Sequence, residues 1–244
     1  METPDFKDRR TAFRRLHEKG CFVIPNPWDV GTARVLAKLG FPALASTSAG
    51  FAFSEGLSDG AVTVDAVLAH LTRMAAAVDL PLNADFESGY AGDVDELDMN
   101  VRRCVATGVA GLSIEDSTGD PAHPLRDLEE SVERIHAARA AIDATGTGVL
   151  LTARAECYLT GHPDPLDEAL RRLEAYSAAG ADVLYAPGPR TLDDIRRIVA
   201  LAGPKPVNVL IYANTGLRVA DLAEAGVRRI STGSALARSA WTGF

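Results

Sequence analysis

The chain has 244 residues, of which 47% are hydrophobic and 24% charged, and its formal net charge is −8. This length fits one large domain or two small ones, and the composition is typical of a globular protein. The negative charge argues against non-specific binding to nucleic acid or to an anionic membrane. Three cysteines without CxxC spacing argue against a disulfide framework or a zinc site, and no apolar run reaches the length of a membrane span. We therefore expect a cytoplasmic protein with no nucleic-acid and no membrane partner.

Eight short apolar runs punctuate the sequence and are predicted to be β-strands. They cover residues 21–25, 43–46, 82–85, 111–115, 149–154, 182–185, 207–210 and 229–231. Segments with apolar residues at i, i+3 and i+4 lie between most of these runs and predict amphipathic helices. The clearest helical segments are 62–78, 128–142, 166–179 and 192–201, and a leading helix is expected within residues 1–19.

The alternation of strand and helix indicates an α/β protein with a parallel sheet. Eight such units indicate a closed (β/α)8 TIM barrel rather than an open doubly wound sheet. A glycine-rich phosphate loop after the first strand would favour a doubly wound fold, and the Pro-Asn-Pro-Trp-Asp stretch at 25–29 is not such a loop. Because no linker interrupts the pattern, we predict a single barrel domain over residues 1–244.

Charged side chains follow three successive predicted strands at the point where each strand ends. Asp85 and Glu87 follow the third strand, Glu115 the fourth and Arg154 the fifth. The carboxyl ends of barrel strands meet at one mouth, so we expect these groups to converge. Gathered carboxylates repel each other unless a cation lies among them, and Mg²⁺ is usually held by one or two carboxylates and several waters. We predict a Mg²⁺ site with Asp85 as the direct ligand and with Asp59, Glu87 and Glu115 holding its waters.

Two further features near the mouth each have alternative readings. A buried Arg154 needs an anion, which is either Glu115 or a substrate carboxylate. Residues 47–50 (Thr-Ser-Ala-Gly) offer backbone N–H groups to an oxyanion or a phosphate, and a plain turn explains them equally well. Asn208, in the seventh strand, is a further polar candidate at the mouth.

The polar loop 117–126 follows the fourth strand and therefore lies at the mouth. It is predicted to be a mobile lid on which His123 and Arg126 carry a proton or a positive charge to the substrate. A rigid surface connection is the alternative reading. Asp116 and Glu156, each taken alone, are expected to be helix caps or salt-bridge partners. The remaining histidines are expected at the surface: His17, His70, His136 and His162.

Five motifs carry a resemblance to a known family: Asn26-Pro-Trp-Asp29, Ser46-Thr-Ser-Ala-Gly50, Asp85-Phe-Glu-Ser-Gly-Tyr90, Gly111-Leu-Ser-Ile-Glu-Asp116 and Leu151-Thr-Ala-Arg154. In these motifs the chain resembles the isocitrate lyase / phosphoenolpyruvate mutase superfamily, in its carboxyphosphonoenolpyruvate phosphonomutase-like subgroup. The resemblance implies a barrel that binds Mg²⁺ and a 2-oxo-acid or enolpyruvate substrate. It also implies a reaction through a pyruvate enolate stabilised on the metal, and a homodimer or homotetramer.

The resemblance also implies roles for individual residues. By motif match, Arg154 binds a substrate carboxylate, and the backbone of residues 47–49 holds substrate oxygens. Two features depart from the family pattern: loop 117–126 lacks the lid cysteine and lysine, and Pro187 replaces a histidine or glutamate after strand six. The predicted catalytic residues are Arg154, Glu115 and His123, and the predicted substrate-binding residues are Thr47, Ser48, Ala49, Arg154 and Asn208.

These observations predict an enzyme that cleaves a C–C bond in a small 2-hydroxy- or 2-oxo-dicarboxylate, including decarboxylation of an oxaloacetate-like acid. The first alternative is C–P bond chemistry, either phosphonopyruvate hydrolysis or a phosphonomutase step. The second alternative is an inactive barrel that binds a carboxylate. The intact set of Asp85, Glu87, Glu115 and Arg154 favours an active enzyme.

Overall fold

The computed structural model describes residues 6–244, and its eight strands form one parallel sheet. Strands β2 to β8 pair in chain order, and β8 pairs with β1. Between β1 and β2 the Ala45 N–H group donates to the Pro25 carbonyl oxygen at 3.1 Å, which continues the ring. The predicted (β/α)8 TIM barrel is therefore confirmed. The strands are β1 (Phe22–Ile24), β2 (Leu44–Ala45), β3 (Leu82–Asp85), β4 (Gly111–Glu115), β5 (Leu150–Arg154), β6 (Val183–Tyr185), β7 (Val207–Leu210) and β8 (Arg229–Ser231).

Ten α-helices lie in the described part of the chain, and the four predicted central ones agree with the observed bounds to within two residues. The short helix after β2 was not predicted, because its seven residues are too few to show a period. No helix within residues 6–244 combines the length and the apolar character needed to cross a bilayer. The helices are α1 (Lys7–Leu16), α2 (Val30–Lys38), α3 (Ser48–Ser54), α4 (Val64–Ala77), α5 (Val94–Ala106), α6 (Leu128–Ala144), α7 (Pro165–Ala178), α8 (Leu192–Ala202), α9 (Val219–Glu224) and α10 (Ala235–Gly243).

Helix α1 closes the amino-terminal end of the barrel, which we call the floor. It lies inside the predicted leading helix, of which residues 1–5 fall outside the described residues. Its Phe13 is fully buried, and a Cβ atom on Gly111 would come within 2.8 Å of the Phe13 ring. The opposite end of the barrel stays open as the mouth. Phe13 packs in a small apolar cluster with Phe22, Ile24, Ala43, Ala45, Ala110 and Leu150.

Strand register brings the charged strand ends together. Glu115 on β4 pairs with Arg154 on β5, and Arg154 in turn pairs with Tyr185 on β6. Asp85, the last residue of β3, pairs with Ser113 on β4. Because side chains two residues apart on a strand share a face, Ser113 and Glu115 point to the same side of β4. The predicted convergence of these strand ends therefore follows directly from the register.

Two of the histidines expected at the surface are buried, so that prediction was wrong. His17 lies edge-on between Phe13 and Phe22, with ring centroids 4.7 and 5.1 Å away. His70 stacks on Phe51 with a centroid distance of 3.8 Å. Burial lowers the pKa of His17 to about 3 and that of His70 to about 4, so both rings are neutral at pH 7. Their aromatic partners explain how these polar rings fit an apolar core.

Candidate active site

A cavity of about 510 Å³ opens at the mouth, and every strand contributes at least one residue to its wall. This volume falls in the range of small-molecule sites, roughly 300–1,000 Å³. The cavity is the place where the predicted site residues are brought together. Those that line it are Thr47, Ser48, Ala49, Asp59, Asp85 and Arg154.

Arg154 is the centre of the charge cluster at the mouth. Its guanidinium contacts Asp85 Oδ1 at 2.7 Å and Glu115 Oε2 at 3.1 Å, and its Nε donates to Glu156 Oε1 at 2.9 Å. The guanidinium carbon also lies 5.3 Å from the centre of the Tyr185 ring. Burial opposes the charged form of Arg154, but the three carboxylates outweigh it and raise its pKa above the ordinary value. Glu115, one of the two anions considered for a buried Arg154, is therefore in contact with it, and the binding of a substrate carboxylate by Arg154 remains a prediction.

Asp85 is held by a backbone N–H group and a hydroxyl group from the residues that follow β2. Its Oδ2 accepts the Ser48 N–H at 3.0 Å, and its own N–H donates to Ser46 Oγ at 2.8 Å. Ser48 is the first residue of α3, so residues 47–50 form a helix start, with Thr47 accepting the Gly50 N–H at 3.2 Å. The plain-turn reading of this stretch was wrong, and its first backbone N–H faces a carboxylate.

Glu87 lies in the loop after β3, where the backbone is strained. Its φ is 45° and that of Tyr90 is 53°, values that non-glycine residues rarely adopt. Tyr90 donates its hydroxyl to Glu87 Oε1 at 2.7 Å, and the Glu115 N–H donates to the Glu87 carbonyl at 3.0 Å. Burial first, and then the charges of Asp85 and Asp59, raise the pKa of Glu87 to about 7. The loop therefore fixes Glu87 behind Asp85 rather than in the cavity wall.

Negative charge is in excess around Arg154. Desolvation raises the pKa of Asp59, Glu115 and Glu156 above their ordinary values, and Arg154 opposes the rise in each case. The charge of Asp85 adds to the rise at all three carboxyl groups. Carboxylates that repel each other in this way are stabilised by any added cation.

The residues around Asp85 fit a Mg²⁺ ion of the kind the sequence predicted. Among residues 6–244, no group of three or more His, Cys, Asp or Glu side chains is arranged to hold a metal directly. Mg²⁺ needs no such group, because it usually takes one or two carboxylates and keeps its remaining waters. Asp85 and Asp59 are the acids that line the cavity, and the pKa of Asp59 is raised first by burial and then by the charge of Asp85. Two neighbouring carboxyl groups form an oxygen-only donor set, which suits a hard divalent cation.

Comparison with known proteins places the chain in a family. The profile of the phosphoenolpyruvate phosphomutase family matches residues 13–244. The chain belongs to this family. The oxaloacetate decarboxylase of Pseudomonas entomophila is 30% identical over 248 residues, which cover 96% of this chain and 82% of that protein. The predicted superfamily is confirmed, and the relatives and neighbours of this phosphoenolpyruvate phosphomutase family member include lyases, hydrolases and mutases.

Two solved structures are similar to this family member over nearly its whole length. A crystal structure from Burkholderia cenocepacia J2315 has a TM-score of 0.94 and 46% identity, and covers 98% of this chain and 87% of that chain. A phosphonopyruvate hydrolase in complex with oxalate and Mg²⁺ has a TM-score of 0.87 and 25% identity, and covers 96% of this chain and 83% of that chain.

Four of the predicted site residues do not line the cavity: Asn208, His123, Glu115 and Glu87. Asn208 is buried below it, where its amide donates to Ser231 Oγ at 2.9 Å and accepts from Arg229 Nε at 2.8 Å. His123 is 85% exposed on loop 117–126, with its Nδ1 3.6 Å from Asp120. Glu115 and Glu87 stand behind Asp85 and Arg154 and do not line the cavity. Their predicted roles as water-holding groups remain predictions.

Loop 117–126 folds as a small hairpin. Ser117 and Leu125 form an antiparallel bridge, and the Thr118 N–H donates to the Pro124 carbonyl at 3.1 Å. Arg126 makes an ion pair with Glu130 at 2.6 Å, so its charge is directed to helix α6. These contacts are those of the braced connection that was the alternative to a lid. Closure over a ligand remains a prediction.

Arg229 is a cavity residue that the sequence reasoning missed. It is 3% exposed, projects from β8 and lines the lower part of the cavity. Its Nε and its two terminal nitrogens donate to Asn208, Asn83 and Thr152, which are all neutral. Burial lowers its pKa to about 10, which still leaves it charged at neutral pH. The sequence did contain a signal for this residue, because Arg229 lies inside the eighth apolar run. Knowing the register of β8 would have shown that its side chain points into the barrel.

Proposed function

We propose that this protein is a Mg²⁺-dependent lyase that cleaves a C–C bond in a small 2-oxo- or 2-hydroxy-dicarboxylate. Decarboxylation of an oxaloacetate-like acid is the reaction we place first. The observation that carries the proposal is the contact between Asp85 and Arg154 at the edge of the cavity, 2.7 Å apart. It joins a carboxylate suited to a divalent cation to a guanidinium suited to an anionic substrate. The oxaloacetate decarboxylase relative supports the choice of substrate.

The residues in the cavity supply what this reaction requires. Mg²⁺ at Asp85 would supply Lewis-acid polarisation of the substrate carbonyl. Arg154 binds the carboxylate of the 2-oxo acid and holds it beside Asp85, because its planar fork matches a carboxylate. The first turn of α3, residues 47–49, borders the same space. Its Ser48 N–H donates to Asp85, so of the first helical residues the Ala49 N–H is the one that can donate to a substrate oxygen.

Decarboxylation places few demands on acid–base groups. The C–C bond to the leaving carboxylate breaks, CO₂ departs, and the electron pair passes to the carbonyl oxygen to give pyruvate enolate. Water then protonates the enolate carbon to give pyruvate. Cleavage of a 2-hydroxy acid would also require a base to remove the hydroxyl proton. The carboxylates, guanidinium groups and hydroxyls that line this cavity are sufficient for the first reaction.

C–P bond chemistry is the second candidate. The family profile is that of phosphoenolpyruvate phosphomutase, and phosphonopyruvate hydrolase is a structural neighbour. A phosphonate in place of the leaving carboxylate would bind to the same Arg154 and Asp85 surroundings. The two candidates are separated by the substrate that releases pyruvate.

The test is an assay of pyruvate release from oxaloacetate, a methylisocitrate-like acid and phosphonopyruvate, with Mg²⁺ and after treatment with EDTA. Because free Mg²⁺ alone decarboxylates oxaloacetate slowly, each rate is compared with buffer and with Asp85→Ala. We expect a Mg²⁺-dependent rate with oxaloacetate that the variant lacks. A rate with phosphonopyruvate alone would favour the second candidate. Binding of oxalate without turnover of any substrate would favour an inactive carboxylate-binding barrel.

We also propose that the protein forms a homodimer or a homotetramer. Trp241, near the end of α10, is half exposed beside the exposed Leu57, and Phe244, which follows the helix, is completely exposed. Exposed aromatic groups of this kind are typical of contact surfaces. Light scattering that gives a monomer mass at working concentration would contradict this proposal.

The cytoplasmic location likewise stays a proposal, and the free state of Cys21, Cys104 and Cys157 agrees with it.

A further inference from the structure

A buried polar network links helix α7 to the charge cluster at the mouth. Asp116 follows Glu115 directly but turns away from the cavity and is 3% exposed. Its Oδ2 accepts from Tyr176 Oη at 2.6 Å and from Arg172 at 3.0 Å, both on α7. Arg172 in turn donates its Nε to Glu168 at 2.6 Å. One oxygen of Asp116 is thus anchored in the outer helix layer.

The other oxygen of Asp116 reaches the loop after β5. Asp116 Oδ1 accepts the backbone N–H of Glu156 at 2.9 Å. Glu156 is 4% exposed, and its Oε1 accepts Arg154 Nε at 2.9 Å. The salt-bridge reading of Asp116 and Glu156 is confirmed, but the two bridges form one chain of contacts that ends on Arg154.

The last contact in this chain occupies one side of the Arg154 guanidinium. The Arg154 Nε–H is occupied by Glu156, so the two terminal nitrogens are left to point at Asp85 and Glu115. A guanidinium is planar, so fixing the Nε side fixes the direction of the other donors. Without Glu156 in place, a side chain with this many rotamers would lose that orientation.

We propose that Asp116 is a positioning residue that orients Arg154 through the backbone N–H and the carboxylate of Glu156. The functional part of this inference rests on the proposed function, in which Arg154 binds the substrate carboxylate. The two neighbouring acids Glu115 and Asp116 then act on Arg154 in different ways. Glu115 contacts Arg154 from inside the barrel, and Asp116 holds it from outside through the β5 loop.

Substitutions can separate this role from simple stabilisation. Asp116→Ala removes both links, and Glu156→Ala removes the link to Arg154 alone. Tyr176→Phe is the matched control, because it removes a hydrogen bond from Oδ2 and leaves the Oδ1 contact with Glu156 intact. Asp116→Asn is the conservative rescue, because an amide oxygen still accepts the Glu156 N–H. If Asp116→Ala does not fold, Asp116→Ala with Arg172→Met removes the uncompensated buried charge, and Arg172→Met alone is its control.

Two measurements follow, both below the melting temperature of the weakest variant. The first is the Nε–H resonance of Arg154 in ¹⁵N-labelled protein, assigned by its loss in Arg154→Lys. The second is Mg²⁺-dependent turnover of oxaloacetate. We expect Asp116→Ala and Glu156→Ala to shift or broaden the Arg154 resonance and to lower kcat/KM by about tenfold or more, as loss of a supporting contact commonly does. A double variant that combines Asp116→Ala with Glu156→Ala should be no worse than the worse of these two single variants, because both act on one chain of contacts.

Tyr176→Phe should melt at a lower temperature than the wild-type protein but keep its Arg154 resonance and its turnover. Asp116→Asn should restore most of the resonance position and most of the turnover that Asp116→Ala loses. An unchanged Arg154 resonance in folded Asp116→Ala, or an equal loss in Tyr176→Phe, would overturn the proposal. If the wild-type protein releases pyruvate neither from oxaloacetate nor from a methylisocitrate-like acid, the proposed function fails, and the resonance comparison alone still decides whether Asp116 positions Arg154.

Discussion

Two buried arginines in this barrel have opposite surroundings. Arg154 lies at the mouth in an upper cluster with three carboxylates, those of Asp85, Glu115 and Glu156. Arg229 lies closer to the floor in a lower cluster with three neutral groups, those of Asn83, Thr152 and Asn208. Thr152 precedes Arg154 by two residues on β5, so the two clusters are stacked in the barrel.

The difference between the clusters shows what each one does. Attraction to its carboxylates raises the pKa of Arg154, whereas burial without a carboxylate lowers the pKa of Arg229 to about 10. The upper cluster holds more negative charge than one guanidinium compensates, so it gains from binding a cation. The lower cluster satisfies its donors with amide and hydroxyl oxygens and depends on no ligand. We therefore expect upper-cluster substitutions to change activity and lower-cluster substitutions to change stability.

The largest effect is expected at Asp85. Asp85→Ala removes the cavity carboxylate assigned to Mg²⁺ and should lower Mg²⁺-dependent pyruvate release by about 10³-fold or more. Its fold should be retained, because the lost charge relieves repulsion among the remaining acids. Pyruvate release measured over a Mg²⁺ titration checks this, with Asp95→Ala, an exposed acid on α5, as the control. Normal activity in Asp85→Ala would remove Asp85 from the site.

The next effect is expected at Arg154. Arg154→Gln keeps some hydrogen bonding but loses the charge that faces both the substrate and the acids. We expect kcat/KM for oxaloacetate to fall by about 10²-fold, together with weaker binding of oxalate. Steady-state kinetics and calorimetry with oxalate and Mg²⁺ measure the two effects separately. Unchanged oxalate affinity would mean that Arg154 only balances the acids.

A loss of stability, rather than of turnover, is expected at Arg229. Arg229→Met leaves the oxygens of Asn208, Asn83 and Thr152 without their donor, which should lower the free energy of unfolding by about 3 kcal/mol. Arg228→Met is the matched control, because the neighbouring side chain points outward to the Gly20 carbonyl. Denaturant titration of both variants checks the difference. A change in Arg229→Met confined to turnover would reverse the roles of the two clusters.

The smallest effect is a pH dependence of stability in the metal-free protein. The pKa of Glu87 is raised from its ordinary 4.5 to about 7 by burial and by Asp85 and Asp59. The folded state therefore binds a proton that the unfolded state has released, and stability falls as the pH rises from 4.5 through 7. The loss is at most about 3 kcal/mol. Chemical denaturation at pH 5 and pH 8 should show this slope. Glu87→Gln should reduce it and leave the part that comes from the raised pKa values of Asp59, Glu115 and Glu156. An identical slope in the variant would assign the effect to another group.

The fold could be predicted from the sequence because barrel strands are buried on both faces. Such strands are continuous apolar runs, and the eight runs repeat with helical segments between them. The contacts at the floor were harder to predict from the sequence. The burial of His17 depends on where α1 lies, and the two rings that contact it, Phe13 and Phe22, come from different elements. His70 faces the core from α4 for the same reason, with Phe51 of α3 as its partner.

The site was predictable to the extent that its residues end strands. Asp85, Glu115 and Arg154 each close an apolar run, so the topology alone brings them to one mouth. Asn208 and Arg229 lie inside runs, where a shift of one residue reverses the direction of a side chain. Only the pairing of Asn208 with Arg229 across β7 and β8 shows that they contact each other near the floor. The position of the His123 side chain depends on the course of loop 117–126, and the patterns of strands and helices in the sequence do not determine that course.

The central claim is that the upper cluster binds a divalent cation at Asp85 beside the anion site of Arg154. The most direct test is a crystal structure of the protein with Mn²⁺ and oxalate, collected at a wavelength that gives an anomalous signal for the metal. We predict one anomalous peak about 2.0–2.2 Å from an Asp85 oxygen, a distance typical of small hard divalent cations, with oxalate between the metal and Arg154. An anomalous peak away from Asp85, or oxalate bound at Arg229 with no metal at the mouth, would contradict the account.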